Sequence, residues 1–65
     1  MSDIVRIDAI RAHDSWRSFS GFANGLAVGD VITIMIGGET YRVRVTRCRI
    51  LPNCITPYVE MELLQ

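Results

Sequence analysis

The alternation of apolar and polar residues along one stretch of this chain changes phase once. Tyr41, Val43 and Val45 are apolar and Arg42, Arg44 and Thr46 polar, whereas beyond Thr46 the polar set is Arg47 and Arg49 and the apolar set Cys48 and Ile50. A strand alternates its faces with a period of two, so one extra residue must be absorbed near Thr46–Arg47, as a β-bulge does. Bulged, bent strands build small closed or half-closed barrels.

The flanking residues extend this into a meander. A first strand is predicted over Ile4–Ala12, with Ile10 and Ala12 hinting at a second phase slip, and a second over Asp30–Ile36. Gly37–Gly38 is a two-residue hairpin turn, since both positions accept positive φ. A third strand runs Glu39–Leu51, Pro52–Asn53 turns the chain, and a fourth runs Ile55–Leu64. The Gly-Gly turn sets Ile34 against Tyr41 and Ile32 against Val43. With the bulge opposite Tyr58, the next pairs are Val45–Val59, Val43–Met61 and Tyr41–Leu63, and the outer pairs are Arg44–Glu60 and Arg42–Glu62. Apolar then meets apolar and Arg meets Glu. The first strand either pairs with the second or closes against the fourth. Residues 13–25, HDSWRSFSGFANG, read as an aromatic loop with a helical turn, or as a short helix capped by Asp14 or Ser15 and stopped at Asn24–Gly25. The expected fold is all-β: a small, four- to five-stranded, bent antiparallel meander or SH3-like half-barrel, in a single domain over residues 1–65.

Sixty-five residues make a small domain, one that gains from oligomerisation. An apolar share of 49% argues against disorder. No apolar run approaches the roughly 18 residues of a membrane span. Asp3, Arg6 and Asp8 interrupt the N-terminus, so neither a signal peptide nor a membrane partner is expected. A cytoplasmic location follows, with Cys48 and Cys54 as reduced thiols. Net charge is zero, which speaks against broad attraction to nucleic acid; yet all seven bases are Arg, the side chain suited to bidentate recognition.

Catalytic and metal chemistry find little footing. His13, Asp14, Cys48 and Cys54 match no ligand spacing, and the neighbours His13, Asp14 and Ser15 are not placed to converge on one reacting centre. The glycines are isolated turn residues rather than a phosphate loop, so neither metal nor cofactor is expected. Two binding surfaces stand out. Trp16, Phe19 and Phe22 cluster in the long connection, as core or as contact, with Phe22 expected to be the exposed one. Outward Met35, Tyr58 and Leu64 join it, giving Phe22, Trp16, Met35 and Tyr58 as candidate partner-binding residues. The other surface is an Arg patch. Arg42 and Arg44 are matched by glutamates, but Arg47 and Arg49 fall opposite Tyr58 and Thr56 with no carboxylate. With Arg11 and Arg17 they form the candidate nucleic-acid surface, aided by stacking from the connection.

The run Gly25-Leu26-Ala27-Val28-Gly29-Asp30-Val31 resembles the Gly-Leu-x-x-Gly-Asp strand entry of two groups. One is the SH3-like barrels. The other is the swapped-hairpin AbrB/MazE-like DNA-binding and antitoxin proteins, where a short helix precedes the turn. The likeness covers about a third of the chain. The long third strand and the fourth strand depart from the swapped-hairpin pattern. The expected function is a non-enzymatic small binding module acting on a protein partner or on its own copies as a homo-oligomer. Accessory proteins, inhibitors or assembly factors of the kind phage and mobile-element genomes encode have this character. The alternative is nucleic-acid binding through Arg11, Arg17, Arg47 and Arg49, including an AbrB/MazE-like dimeric DNA binder.

Overall fold

The computed structural model describes residues 4–64. Five antiparallel strands, β1 (Asp8–His13), β2 (Ser18–Phe22), β3 (Val31–Ile36), β4 (Glu39–Arg49) and β5 (Tyr58–Leu63), form one sheet in the order β1-β2-β5-β4-β3. The sheet curls into a half-barrel, and no helix is present among the described residues, so none crosses a membrane.

The β3–β4 hairpin follows from local chemistry. Gly37 and Gly38 both take positive φ, 58° and 86°. Ile34 then pairs with Tyr41 and Ile32 with Val43, as the alternation predicts. The bulge also lies where the phase flips, between Val45 and Arg47. Thr46 is the extra residue, and its hydroxyl donates to the Glu60 carbonyl at 3.1 Å.

On both sides of the bulge the observed β4–β5 register differs from the expected one by two residues. Val43 pairs with Leu63, Val45 with Met61 and Arg44 with Glu62. The Pro52–Asn53 turn exists, with Asn53 at φ 64° and the Cys54 N–H donating to the Leu51 carbonyl at 3.1 Å. It does not close a tight hairpin. The connection runs from Ile50 to Pro57, and β5 starts at Tyr58 rather than Ile55. A slide of two residues leaves every side chain on its face, so apolar still meets apolar and Arg still meets Glu.

Residues 13–25 form no helix, and the expected loop survives only as a turn over residues 14–17 and the irregular residues 23–25 on either side of a strand. A turn over residues 14–17 leads into β2, which lies inside the sheet between β1 and β5. Phe19 and Ala23 join the core, while Ser18 faces away from it. Asp14 and Ser15, the expected helix caps, sit in the left-handed region together with Trp16. The helix that a swapped hairpin places before the turn is therefore replaced by a strand. Gly21 explains why this strand needs no large side chain there. A Cβ on it would collide with the Ile7 side chain and lie 3.0 Å from the Asp8 carbonyl oxygen, so Ile7 fills the space instead.

The first strand is shorter than expected and pairs with β2, not with β3 or β5. Its second phase slip is real. The register shifts between Asp8 and Arg11, and Ala9 takes φ 54°. Upstream, Ile4 bridges Thr33 in parallel and the Val5 N–H donates to the Thr33 carbonyl at 2.8 Å. The chain thus runs along β3 at one edge and then forms β1 at the other. Phe19, Ile34, Val43, Val45, Val59 and Met61 are the fully buried core.

Candidate binding surfaces

The strand register lays out the outer face in rows. Asp8, Phe22, Tyr58 and Arg49 make one row; Arg11, Ser20, Glu60 and Arg47 make the next. His13, Ser18, Glu62, Arg44 and Val31 make the third. Beyond it, the Leu64 N–H donates to the Arg42 carbonyl, Arg42 pairs with Thr33, and Thr33 bridges Ile4.

The glutamates of β5 are shared differently from expectation. Arg44 Nη1 lies 3.2 Å from Glu62 Oε2 and Arg49 Nη2 lies 3.6 Å from Glu60 Oε2. Arg49 therefore has a carboxylate after all, and its guanidinium also sits 5.7 Å from the Tyr58 ring centre. Arg47 faces Glu60 across the ladder. These corrections follow from the two-residue slide. Among the described residues, Arg11, Arg17, Arg42 and Arg47 form no ion pair. Arg11 and Arg47 stand three strand spacings apart, roughly 14 Å at 4.8 Å per strand. The four candidate arginines are thus not one patch, and Arg17 belongs to the β1–β2 turn.

The candidate aromatics separate into two sites. Phe22 and Tyr58 meet edge to face at 5.4 Å, both half-buried, so Phe22 is not the exposed ring. Trp16 is, at 50% exposure, stacked on Tyr41 at 6.0 Å and edge-on to Phe19 at 6.3 Å. Phe19 is core. The polar groove between β2 and β5 holds a hydrogen bond of 2.8 Å between His13 Nε2 and Ser20 Oγ. Asp14 accepts from Ser18 rather than from His13, so the three neighbours 13–15 form no relay. No group of three His, Cys, Asp or Glu among the described residues is spaced to hold a metal ion.

Met35 has different company. It projects from β3 with Val31, and Ile4 and Leu64 lie in the row through Thr33 and Arg42 between them. All four apolar side chains are exposed, by 38–49%. An apolar ring around an arginine that meets no carboxylate among the described residues has the composition of an interface centre. The backbone adds to it. Thr33 turns its carbonyl outward to Val5, and by the period of two Met35 turns its peptide groups outward as well. Only Val5 bonds to that edge among the described residues. Met35 is outward as the sequence predicts, but its setting beside Ile4, Leu64 and Arg42 is not legible there, because three separate segments meet at this surface. No protein-family model matches the chain, nor does any curated protein or solved structure.

Proposed function

We propose that this protein is a non-enzymatic binding module that takes an extended segment of a protein partner on its β3 edge. The observation that carries this reading is the half of β3 that no described residue bonds to beyond Val5, beside exposed Val31, Met35, Ile4 and Leu64 and an Arg42 that forms no ion pair among the described residues. An added strand draws affinity from main-chain hydrogen bonds and selectivity from alternate side chains. Here those side chains are apolar toward Met35 and Leu64 and acidic toward Arg42. Free Cys48 and Cys54 support a reducing, cytoplasmic setting.

The test uses isotope-labelled protein and a synthetic peptide alternating valine with glutamate. Amide shifts are expected at residues 34–36 and at Arg42. Met35→Lys should weaken binding at least about tenfold while the melting temperature holds, because the side chain is half in water. Shifts elsewhere, or equal binding by Met35→Lys, overturn the proposal. Nucleic-acid binding has one observation in its favour, the row of Phe22, Tyr58 and the Glu60-paired Arg49 beside Arg47, which forms no ion pair among the described residues. It takes over if a single-stranded oligonucleotide binds with steep salt dependence, loses affinity on Arg47→Ala and ignores Met35→Lys.

A further inference from the structure

The β3 edge is touched by the chain's own N-terminal stretch. Ile4 bridges Thr33 in parallel, and the Val5 N–H donates to the Thr33 carbonyl at 2.8 Å. These two residues stand where a strand added to the edge would lie. Thr33 is midway between Val31 and Met35, and by the period of two all three turn their peptide groups outward. With Val5 in place, a partner strand lying along Met35 cannot continue past Thr33. With Val5 displaced, it runs over all three residues. Strand addition draws its affinity from main-chain hydrogen bonds, so the two arrangements differ in how tightly they hold a partner.

The stretch is held lightly at one end and firmly at the other. Ile4 is 45% exposed, and the Val5 bond is the one backbone hydrogen bond that residues 4–7 make to β3 among the described residues. The Arg6 side chain is 91% exposed, and its pair with Asp8 at 3.5 Å lies in water, where such pairs hold little. Ile7 is the anchor. Unlike Ile4 and Val5, it packs against the buried core, and it fills the space over Gly21. Residues 4–5 can therefore leave β3 by turning about Arg6 while Ile7 stays seated. A contact of two residues repays little of the entropy of ordering them, so it belongs to the part of the fold that opens first.

We infer that residues 4–5 are a displaceable strap, which closes the β3 edge in the free protein and gives way at Thr33 to an incoming strand. This rests on the reading of the β3 edge as the binding site. The edge then has a closed and an open state, and the apparent affinity for a partner is reduced by the fraction of protein that is open. The strap does for β3 what bulges and charges do for other edges: it keeps an uncharged strand from pairing with any chain it meets.

The test is calorimetric titration of wild type and Val5→Pro with the peptide alternating valine with glutamate, together with amide exchange followed by NMR on wild type. Proline removes the N–H that bonds Thr33. Val5→Pro should bind about ten- to a hundredfold more tightly, the reciprocal of an open fraction of about 1–10%. In wild type, saturating peptide should strip the Val5 amide of its protection while the Ile34–Tyr41 pair keeps its own. The exchange experiment needs no variant, so it decides the matter if Val5→Pro loses its fold by circular dichroism. Peptide shifts at residues 34–36 with Val5 still protected overturn the strap and leave the β3 reading standing. Equal or weaker binding by folded Val5→Pro does the same, as does a Val5 amide unprotected in the free protein. Binding by neither protein overturns strap and reading together, whereas binding by Val5→Pro alone supports both.

Discussion

The hairpins at the two edges of the sheet are built on opposite plans. β3 and β4 turn through two glycines, pair over six residues without a shift, and leave β3 with no charged side chain. β1 and β2 turn through four residues, three of them left-handed, and their register slips between Asp8 and Arg11. β1 carries Asp8, Arg11 and His13. A bulge and charged side chains are how a sheet keeps an edge from accepting a stray strand. The β1 edge is guarded in this way. The β3 edge pairs with β4 without a shift, carries no charged side chain, and among the described residues is covered only by the short stretch at Ile4–Val5. In one small sheet, the irregular hairpin protects and the regular one remains open to pairing.

The comparison breaks most directly at Phe19. If β2 is an interior strand rather than an ornament of the β1 edge, Phe19→Ala removes the largest fully buried side chain and costs about 3–5 kcal/mol. That is comparable with the whole stability of a domain of this size, so urea titration followed by circular dichroism should find the variant largely unfolded. A cooperative, near-wild-type transition would show β2 to be dispensable.

Gly21→Ala tests how the irregular hairpin is held. The new methyl meets Ile7, and the cost should be about 1–3 kcal/mol. Adding Ile7→Ala should recover part of it, a departure from additivity expected of residues in contact. Purely additive losses in the double variant would mean that Ile7 does not rest on Gly21.

The smallest effect contrasts the two turns directly. Ser15→Gly relieves a left-handed residue in the β1–β2 turn and should stabilise by up to about 1 kcal/mol. Gly38→Ala introduces the same strain in the β3–β4 turn and should destabilise by about 1 kcal/mol. Melting temperatures moving in opposite directions, by about 4–8 °C per kcal/mol, confirm the contrast. Movement in the same direction would remove it.

The regular hairpin was readable because its information is local. Gly37–Gly38 sets the register, and each isoleucine then finds its partner by counting. The bulge at Thr46 was readable for a similar reason, since a change of face leaves a trace in the alternation. β5 was half readable. Its faces followed from Val59, Met61 and Leu63, but a slide of two residues preserves faces, and the proline turn lay inside a longer connection. That slide is why Glu60 had to be reassigned to Arg49. β2 was obscured because Ser18, Ser20 and Gly21 are poor strand formers; its trace is the alternation of Phe19 and Ala23 inward with Ser18 and Phe22 outward. Of the candidate surface, Met35 was visible as an outward apolar residue. Its setting among Ile4, Leu64 and Arg42 was not, because three separate segments meet there.

What the chain determines by itself is therefore turn chemistry and face: the Gly-Gly hairpin, the bulge, and which residues of β4 and β5 look inward. Tertiary structure decides which strand lies beside which. It makes residues 18–22 an interior strand by packing Ile7 over Gly21 and Phe19 under the sheet, and it brings Ile4 and Val5 to the far edge. The physical reason is range. Backbone φ and the period of two act between neighbours in sequence, whereas a strand's partner is chosen by the apolar area that distant segments bury together, and that choice also settles which apolar side chains are left in water.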